Sequence, residues 1–177
     1  ILQLIKDMYF EKPIYFAATV SDNNQVGLGK YLQMEGMTYR LVSKAQNQNV
    51  IIPGGLNYNK MKLNLTQSNL LDTIKTEEDY NNACLNNKGI YRYNNLNNEA
   101  IFYSDNIKRL VQNYRIGYLR MMQYQLDKNN LEEVELLMNQ MDEYFPTHIL
   151  PIDPWLGFEM IDKIYKPLNA EENQKDM

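Results

Sequence analysis

Hydrophobic side chains recur at helical spacing in the last third of the chain. One apolar stripe runs along residues 105–126 and a second along 131–145, where Pro146 ends it. A third helix is predicted from 155 to 165, because Asp153-Pro154 is typical of a helix start and Pro167 of a helix end. The predicted N-caps are Asp105, Asn130 and Asp153.

The N-terminal pattern is shorter and mixed. A helix is predicted from Ile1 to Phe10, followed by a run of strand formers from Ile14 to Val20 that is typical of a strand buried on both faces. A short helix is predicted from Leu28 to Met34, with Gly36 as its C-cap, and a second strand from Met37 to Val42. Together these segments form a small βαβ-like unit.

Residues 43–103 carry little periodic pattern. Asparagine doublets mark loops there, because asparagine readily enters turn and left-handed conformations. One helix is predicted from Leu65 to Ile74, and we expect further short helices, since so long a loop is unusual in a compact domain. The structure of this asparagine-rich segment is not predictable from the pattern.

The elements together predict a mostly helical α+β fold. Residues 1–103 form its α+β part with the irregular middle, 104–168 its helical part, and 169–177 a frayed tail. The spacing of the two long helices resembles a tetratricopeptide repeat with Pro146 as its terminal proline. One such repeat needs a stacked neighbour, so we expect the N-terminal unit to dock on this hairpin as one compact unit.

Composition narrows the function classes. The 177 residues are 44% hydrophobic and 23% charged, enough apolar side chain for a core. The net charge of -4 shows none of the basic excess that nucleic-acid binding needs. The single Cys84 and single His148 exclude a disulfide framework and an ordinary metal centre. No window of 18 apolar residues occurs, so a soluble piece is expected.

No pattern indicates a catalytic centre or a cofactor. His148 lies in a loop without a placed acid or nucleophile, and Cys84 has no basic neighbour that would lower its pKa. The Gly27-Leu28-Gly29 sequence fails as a dinucleotide loop, because Leu32 stands at the third glycine position. We therefore predict no catalytic residue, no metal and no cofactor within this chain.

One candidate binding constellation lies at the end of the βαβ-like unit. Open α/β sheets place ligands there, and the residues are Glu35, Tyr39 and Arg40. The favoured alternative is structural, with the arginine and the glutamate pairing to brace the turn.

A second constellation forms a polar ridge on the long helix. Asn106, Arg109 and Asn113 recur at spacings of three and four residues beside the apolar stripe. The ridge either hydrogen-bonds the irregular middle segment, which we favour, or faces a ligand.

The same segments carry a family resemblance. Residues 12–20 (Lys-Pro-Ile-Tyr-Phe-Ala-Ala-Thr-Val), Tyr31-Leu32 and residues 35–42 resemble the region after the last membrane span in a family of large bacterial multispanning proteins. That family is related to protein O-mannosyltransferases. Residues 106–115 and the following hairpin resemble the C-terminal end of the same proteins. Three positions depart from the family pattern, namely Met37, Thr38 and Ser43.

The resemblance implies an accessory domain of a membrane-embedded glycosyltransferase. In such enzymes sugar passes from a lipid-linked donor to a protein acceptor outside the cytoplasm, and the catalytic acids lie between membrane helices. The chain would then be a non-catalytic soluble domain on the periplasmic side of the inner membrane. Its expected partners are the membrane-spanning part of the same polypeptide and a protein acceptor or glycan. A start at Ile1 fits a piece cut from a larger protein.

Two alternatives of other classes stay open. An asparagine- and tyrosine-rich chain also suits an extracytoplasmic carbohydrate-binding lipoprotein, and the hairpin suits a peptide-binding scaffold. Separately, Asp72-Thr73-Ile74 resembles an acceptor motif of bacterial O-glycosylation, and Asn64-Leu65-Thr66 is a sequon. Matches of three residues occur often by chance.

Overall fold

A computed structural model of the chain has the α+β architecture that the sequence predicts, with a small antiparallel sheet near the N-terminus and helices towards the C-terminus. Contacts divide the chain into two compact units, Ile1–Met61 and Lys62–Met177. The domain boundary at residue 103 stays a prediction. The residues that the structure describes are 2–8, 11–45, 55–66, 75–76, 78–79, 82, 93 and 95–169.

The first unit begins with helix α1 (Leu2–Met8), as predicted, and contains a three-stranded sheet. Its strands are β1 (Tyr15–Ala17), β2 (Leu32–Met34) and β3 (Thr38–Leu41). Both outer strands pair antiparallel with β3, which gives the order β1-β3-β2. The β2–β3 turn requires a left-handed residue, and Gly36 supplies it with a φ of 98°.

Three details of this unit differ from the sequence analysis. The segment predicted as a short helix is a 3₁₀ turn (Gly29–Tyr31) followed by β2, because its buried side chains alternate with a period of two. Gly36 therefore closes a hairpin and caps no helix. In β1 only the central residue, Phe16, is buried, so the strand has one covered face and not two.

The core of the sheet is built from Phe16, Leu32 and Leu41. Each is less than 10% exposed, and burial of such a side chain contributes about 1.5–3 kcal/mol. Partly buried side chains surround this core: Ile5, Ile14, Val20, Leu28, Tyr31 and Tyr39. Among the described residues, a small apolar cluster on one face of the sheet thus stabilises it.

Helix α2 spans Tyr58–Thr66, and the division between the two units falls inside it. The sequence predicted a helix from Leu65 to Ile74, most of which lies outside the described residues. The chain reaches α2 along the edge of the sheet, where the N–H of Met34 donates to the carbonyl oxygen of Gly55 at 3.0 Å. In return, the N–H of Asn57 donates to the Met34 oxygen at 3.0 Å. This pairing aligns the start of α2 with β2.

The second unit contains three helices that match the predicted ones closely. Helix α3 spans Asp105–Leu126, α4 spans Leu131–Tyr144, and α5 spans Pro154–Met160 before a π-helical turn at Ile161–Tyr165. Helical structure continues to residue 169, so Pro167 does not end this helix. The π-helical turn already interrupts the regular hydrogen-bond ladder that a proline would break.

The caps of these helices agree with the prediction in part. The Asp153 side chain accepts a hydrogen bond from the Trp155 N–H at 2.9 Å, as expected for the start of α5. The N-cap of α3 is Ser104 and not Asp105, which is the first helical residue. Asn130 occupies the predicted N-cap of α4 without forming a side-chain capping bond.

Helix α3 is the central element of the second unit. It packs against both α4 and α5, and most of its C-terminal half is buried. The first two positions of its predicted stripe, Ile107 and Leu110, are exposed. The stripe therefore enters the core only from Val111 onwards. Contributing core residues from the three helices are Val111, Tyr118, Met121, Met122, Val134, Leu137, Met141, Leu156, Met160 and Ile164.

Candidate functional site

Glu35 is a buried carboxylate in the turn between β2 and β3, only 4% exposed. Its Oε2 lies 2.9 Å from the Lys60 ammonium and its Oε1 lies 3.8 Å from Nη1 of Arg40. The Asn57 side-chain amide donates to the same Oε1 at 3.2 Å. Two cations and one amide therefore compensate the buried charge, as a buried carboxylate requires.

The structure brings Glu35 and Arg40 together, and this contact matches the favoured structural interpretation. Tyr39, the third predicted residue, packs half-buried against the apolar cluster of the sheet. Sequence reasoning missed Asn57 and Lys60, which α2 and the residue before it supply. Their spacing of three residues at a helix start was the available signal, and the Asn57 side chain also accepts the Lys60 N–H at 3.3 Å.

The predicted ridge on α3 is a surface feature. A hydrogen bond of 3.1 Å joins Nη2 of Arg109 to the Asn106 side chain, and both residues are exposed. Asn113 lies one turn further on and is partly buried. The structure thus joins the first two of these residues and leaves their guanidinium and amide groups accessible to a partner. A binding role for the three remains a prediction.

Arg115 is the residue that sequence reasoning missed most clearly. It is fully buried in the middle of α3, and its Nη2 donates to the carbonyl oxygens of Phe145, at 2.7 Å, and Leu150. Its Nη1 reaches the Pro151 oxygen at 3.3 Å. The arginine therefore satisfies the carbonyls at the end of α4 and in the loop that leads to α5.

The signal for Arg115 was its position on the apolar stripe. It occurs between Val111 and Tyr118 at helical spacing, where a charge is out of place unless it has buried partners. Desolvation lowers the pKa of Arg115 to about 10, while the nearby Asp142 carboxylate raises it. The side chain is therefore still a cation at neutral pH.

Gln112, one turn before Arg115 on α3, forms hydrogen bonds to the same loop. Its amide nitrogen donates to the Pro151 oxygen at 3.0 Å, and its oxygen accepts the Asp153 N–H at 3.2 Å. Together with Arg115, it fixes the loop that starts α5. These two polar side chains therefore act as structural residues.

Aromatic side chains gather around the last turn of α2. The carbonyl oxygen of Leu65 accepts hydrogen bonds from the hydroxyls of Tyr118, at 2.7 Å, and Tyr93, at 3.2 Å. The Tyr93 ring meets Phe145 edge-on at 4.8 Å, and Tyr114 stacks on Phe145 at 5.7 Å. Burial raises the pKa of Tyr118, with smaller contributions from Tyr144 and Glu143. The tyrosine excess of the sequence thus serves packing here.

An open groove follows the exposed face of α4. It contains three carboxylates around the exposed side chain of Leu136. Glu133 is set apart from these, because it pairs with Lys62 at 2.6 Å. The groove is lined by Glu132, Glu135, Leu136, Asn139, Gln140 and Glu143.

The remaining candidates are His148, which the structure describes, and two segments that it does not. His148 pairs with Glu99 at 3.1 Å on the surface. Cys84 and Asp72-Thr73-Ile74 lie outside the described residues. Within the described ranges, no three acidic, histidine or cysteine side chains converge so that they could hold a metal ion. Across the same ranges, no helix has the length and apolar character to cross a bilayer.

The fold and its polar clusters define an α+β chain in which a three-stranded antiparallel sheet precedes a helical hairpin. Residues 1–60 match the family model described as TMEM260-associated domain 2. This match, over about a third of the chain, points to a domain of a membrane-associated protein family. No curated protein matches the chain, and no solved structure matches it either.

Proposed function

We propose that this chain is a non-catalytic accessory domain of a membrane-embedded glycosyltransferase. The parent enzyme would take sugar from a lipid-linked donor and transfer it to a protein on the periplasmic side of the inner membrane. One observation carries the proposal. The segment that matches the TMEM260-associated model, residues 1–60, contains the motifs at 12–20 and 35–42 that resemble the membrane glycosyltransferase family.

The bonding of the charged residues supports a role in interaction. Glu35 is engaged by Lys60, Arg40 and Asn57 inside the first unit, and Arg115 by backbone carbonyls in the second. These buried charges hold the fold together. The groups that the fold leaves exposed are suited to contact a partner, either the membrane-spanning part of the same polypeptide or a protein acceptor.

The ridge residues Asn106 and Arg109 are the proposed contact to the acceptor. The experiment uses the natural polypeptide that carries this domain, reconstituted in proteoliposomes with a radiolabelled polyprenyl-linked sugar and an acceptor protein. We expect sugar transfer, and we expect Asn106→Ala with Arg109→Ala to raise the KM for the acceptor severalfold with little change in kcat. Lys128→Ala, which removes an exposed cation of the same unit, is the matched control.

Two results would contradict the proposal. The first is sugar transfer by the 177-residue chain alone, which would make it catalytic. The second is tight binding of free oligosaccharides on a glycan array by the chain, together with a parent that has only a lipoprotein signal upstream. That combination would favour the carbohydrate-binding alternative.

A further inference from the structure

The last helix carries an apolar face that no other described element covers. Its exposed members are Trp155 (59% exposed), Phe158 (72%), Ile161 (49%) and Tyr165 (40%). Spacings of three, three and four residues place these four side chains, here named the aromatic stripe, on one side of the helix. The opposite side is buried through Leu156, Met160 and Ile164.

The area of the aromatic stripe argues against a second copy of the chain as its cover. Four side chains of this size and exposure present about 400 Å² of apolar surface. A stable protein interface buries about 800 Å² on each partner. Pairing of two stripes alone would thus give about half of the required area.

The chemistry of the aromatic stripe favours a lipid surface. Three of its four members are aromatic, and tryptophan and tyrosine are enriched where the hydrocarbon of a bilayer meets its headgroups. There the ring bodies leave water while the indole N–H and phenol O–H keep polar partners. A helix that lies in the plane of the interface buries such a face to about the level of the first acyl carbons.

The charges bordering the aromatic stripe complement a neutral headgroup layer. Lys163 pairs with Glu159, and Lys166 pairs with Asp162 at 2.8 Å, each one helical turn apart. On this helix the border therefore presents two internally compensated pairs, and the Asp142 carboxylate of α4 lies near Tyr165 beside them. Such a border matches a zwitterionic phospholipid surface without requiring a charged partner.

We propose that the aromatic stripe, on α5 and the π-helical turn that follows it, docks on the bilayer surface with its four side chains among the lipid headgroups. This inference rests on the proposed function, because a domain of a membrane-embedded enzyme is held next to a bilayer. The π-helical turn at Ile161–Tyr165 lies within the docking face, as π-helical turns often do at functional sites.

The sole tryptophan of the chain makes the test direct, since Trp155 belongs to the aromatic stripe. The purified 177-residue chain is mixed with phosphatidylcholine vesicles, and tryptophan emission is recorded with and without nitroxide-labelled lipid. We expect a blue shift, quenching by the labelled lipid, and sedimentation of the chain with the vesicles. Phe158→Ser should weaken the partition coefficient about tenfold, the effect of removing one buried phenyl ring.

Phe102→Ser is the matched control, because Phe102 is 87% exposed and lies outside the aromatic stripe. It should leave vesicle binding unchanged, and circular dichroism should show that both variants are folded. The proposal is overturned if the chain does not bind vesicles, or if Phe158→Ser and Phe102→Ser bind alike. It is equally overturned if Phe158→Ser abolishes a concentration-dependent dimer and leaves vesicle binding intact.

Failure of this inference is distinguishable from failure of the proposed function. Sugar transfer by the reconstituted parent with no vesicle binding by the chain would refute only the lipid docking. Vesicle binding that depends on the aromatic stripe, with a parent that transfers no sugar, would refute only the glycosyltransferase assignment.

Discussion

Glu35 is a buried carboxylate of the first unit that contacts three polar side chains, those of Arg40, Lys60 and Asn57. Its carboxylate is nearly inaccessible, whereas Arg40 and Lys60 are about 40% exposed and can turn to water. Among these three charged groups, loss of the Glu35 charge is therefore expected to have the largest effect on the free energy of unfolding. Removal of its charge leaves Asn57 and the two cations with a weaker acceptor.

Glu35→Gln is predicted to lower the free energy of unfolding by about 1.5–3 kcal/mol, the range for hydrogen bonds to charged groups. The amide keeps one acceptor oxygen for Asn57 but loses the charge that attracts Lys60. Urea denaturation at pH 7 measures the change. Glu11→Gln, an exposed carboxylate, is the control and should stay within about 0.5 kcal/mol. Equal effects in the two variants would contradict a structural role for Glu35.

Tyr118 gives a pH-dependent prediction. Burial raises the pKa of its phenol above the value of about 10 expected in the unfolded chain. The folded state therefore holds the phenol proton more tightly than the unfolded chain does. The resulting contribution to the free energy of unfolding is complete below pH 10 and is lost as the pH rises above it. Tyr118→Phe should cost about 1 kcal/mol at pH 8, where it removes the hydrogen bond to Leu65.

Above pH 10 the stability gap between the two proteins should close and then reverse. Wild-type stability should fall more steeply than that of Tyr118→Phe, by up to about 1.4 kcal/mol per pH unit. Guanidinium unfolding at intervals from pH 8 to 11.5 measures both curves. The lowered pKa of Arg115 acts in the opposite direction but is common to both proteins, so it cancels in their difference. Parallel curves would show that the Tyr118 phenol is not protected.

At the scale of elements, Arg115 connects three helices through hydrogen bonds. It belongs to α3, it donates to the Phe145 carbonyl that follows α4, and it reaches the Leu150 and Pro151 carbonyls in the loop before α5. A single cation thereby replaces the hydrogen bonds that a helix end and a tight loop lack. The position of α5 on α3 depends on this contact and on Gln112.

Arg115→Met is predicted to lower the free energy of unfolding by about 2–4 kcal/mol, because it leaves buried carbonyls without donors. Amide hydrogen exchange should accelerate most in the loop at 146–153 and in α5. Arg109→Met is the control, since that guanidinium is exposed and its bond within the described residues is to Asn106, in its own turn. If amide hydrogen exchange in Arg115→Met accelerates equally in all helices, Arg115 does not stabilise the loop and α5 in particular.

The helices of the second unit could be predicted from sequence because their apolar stripes are long and periodic. Strand β2 could not be predicted from sequence, because the apolar residues Leu32 and Met34 fit a short helix as well as a strand. Its pairing with β3 in the folded chain decides between the two. The contact between Glu35 and Arg40 is local and was predicted. Lys60 and the carbonyl partners of Arg115 are distant in sequence, and only the folded chain shows that they meet.

At the scale of the whole chain, net charge sets the conditions under which the aromatic stripe can act. The sequence carries a net charge of -4 at neutral pH, with a pI of about 5.1. The two ion pairs that border the aromatic stripe are compensated, so the acidic groups outside these pairs, Asp142 among them, repel an anionic bilayer. Such repulsion is long-ranged at low ionic strength and screened at high ionic strength.

Vesicles that contain anionic phosphatidylglycerol should therefore bind the chain more weakly than pure phosphatidylcholine vesicles at 10 mM salt. The difference should disappear towards 0.5 M salt, where the Debye length falls to about 4 Å. Trp155 emission in a titration with each vesicle type measures both partition coefficients, and Phe158→Ser defines the background. Tighter binding to the anionic vesicles at low salt would mean that lysines on the surface, and not the aromatic stripe, drive the association.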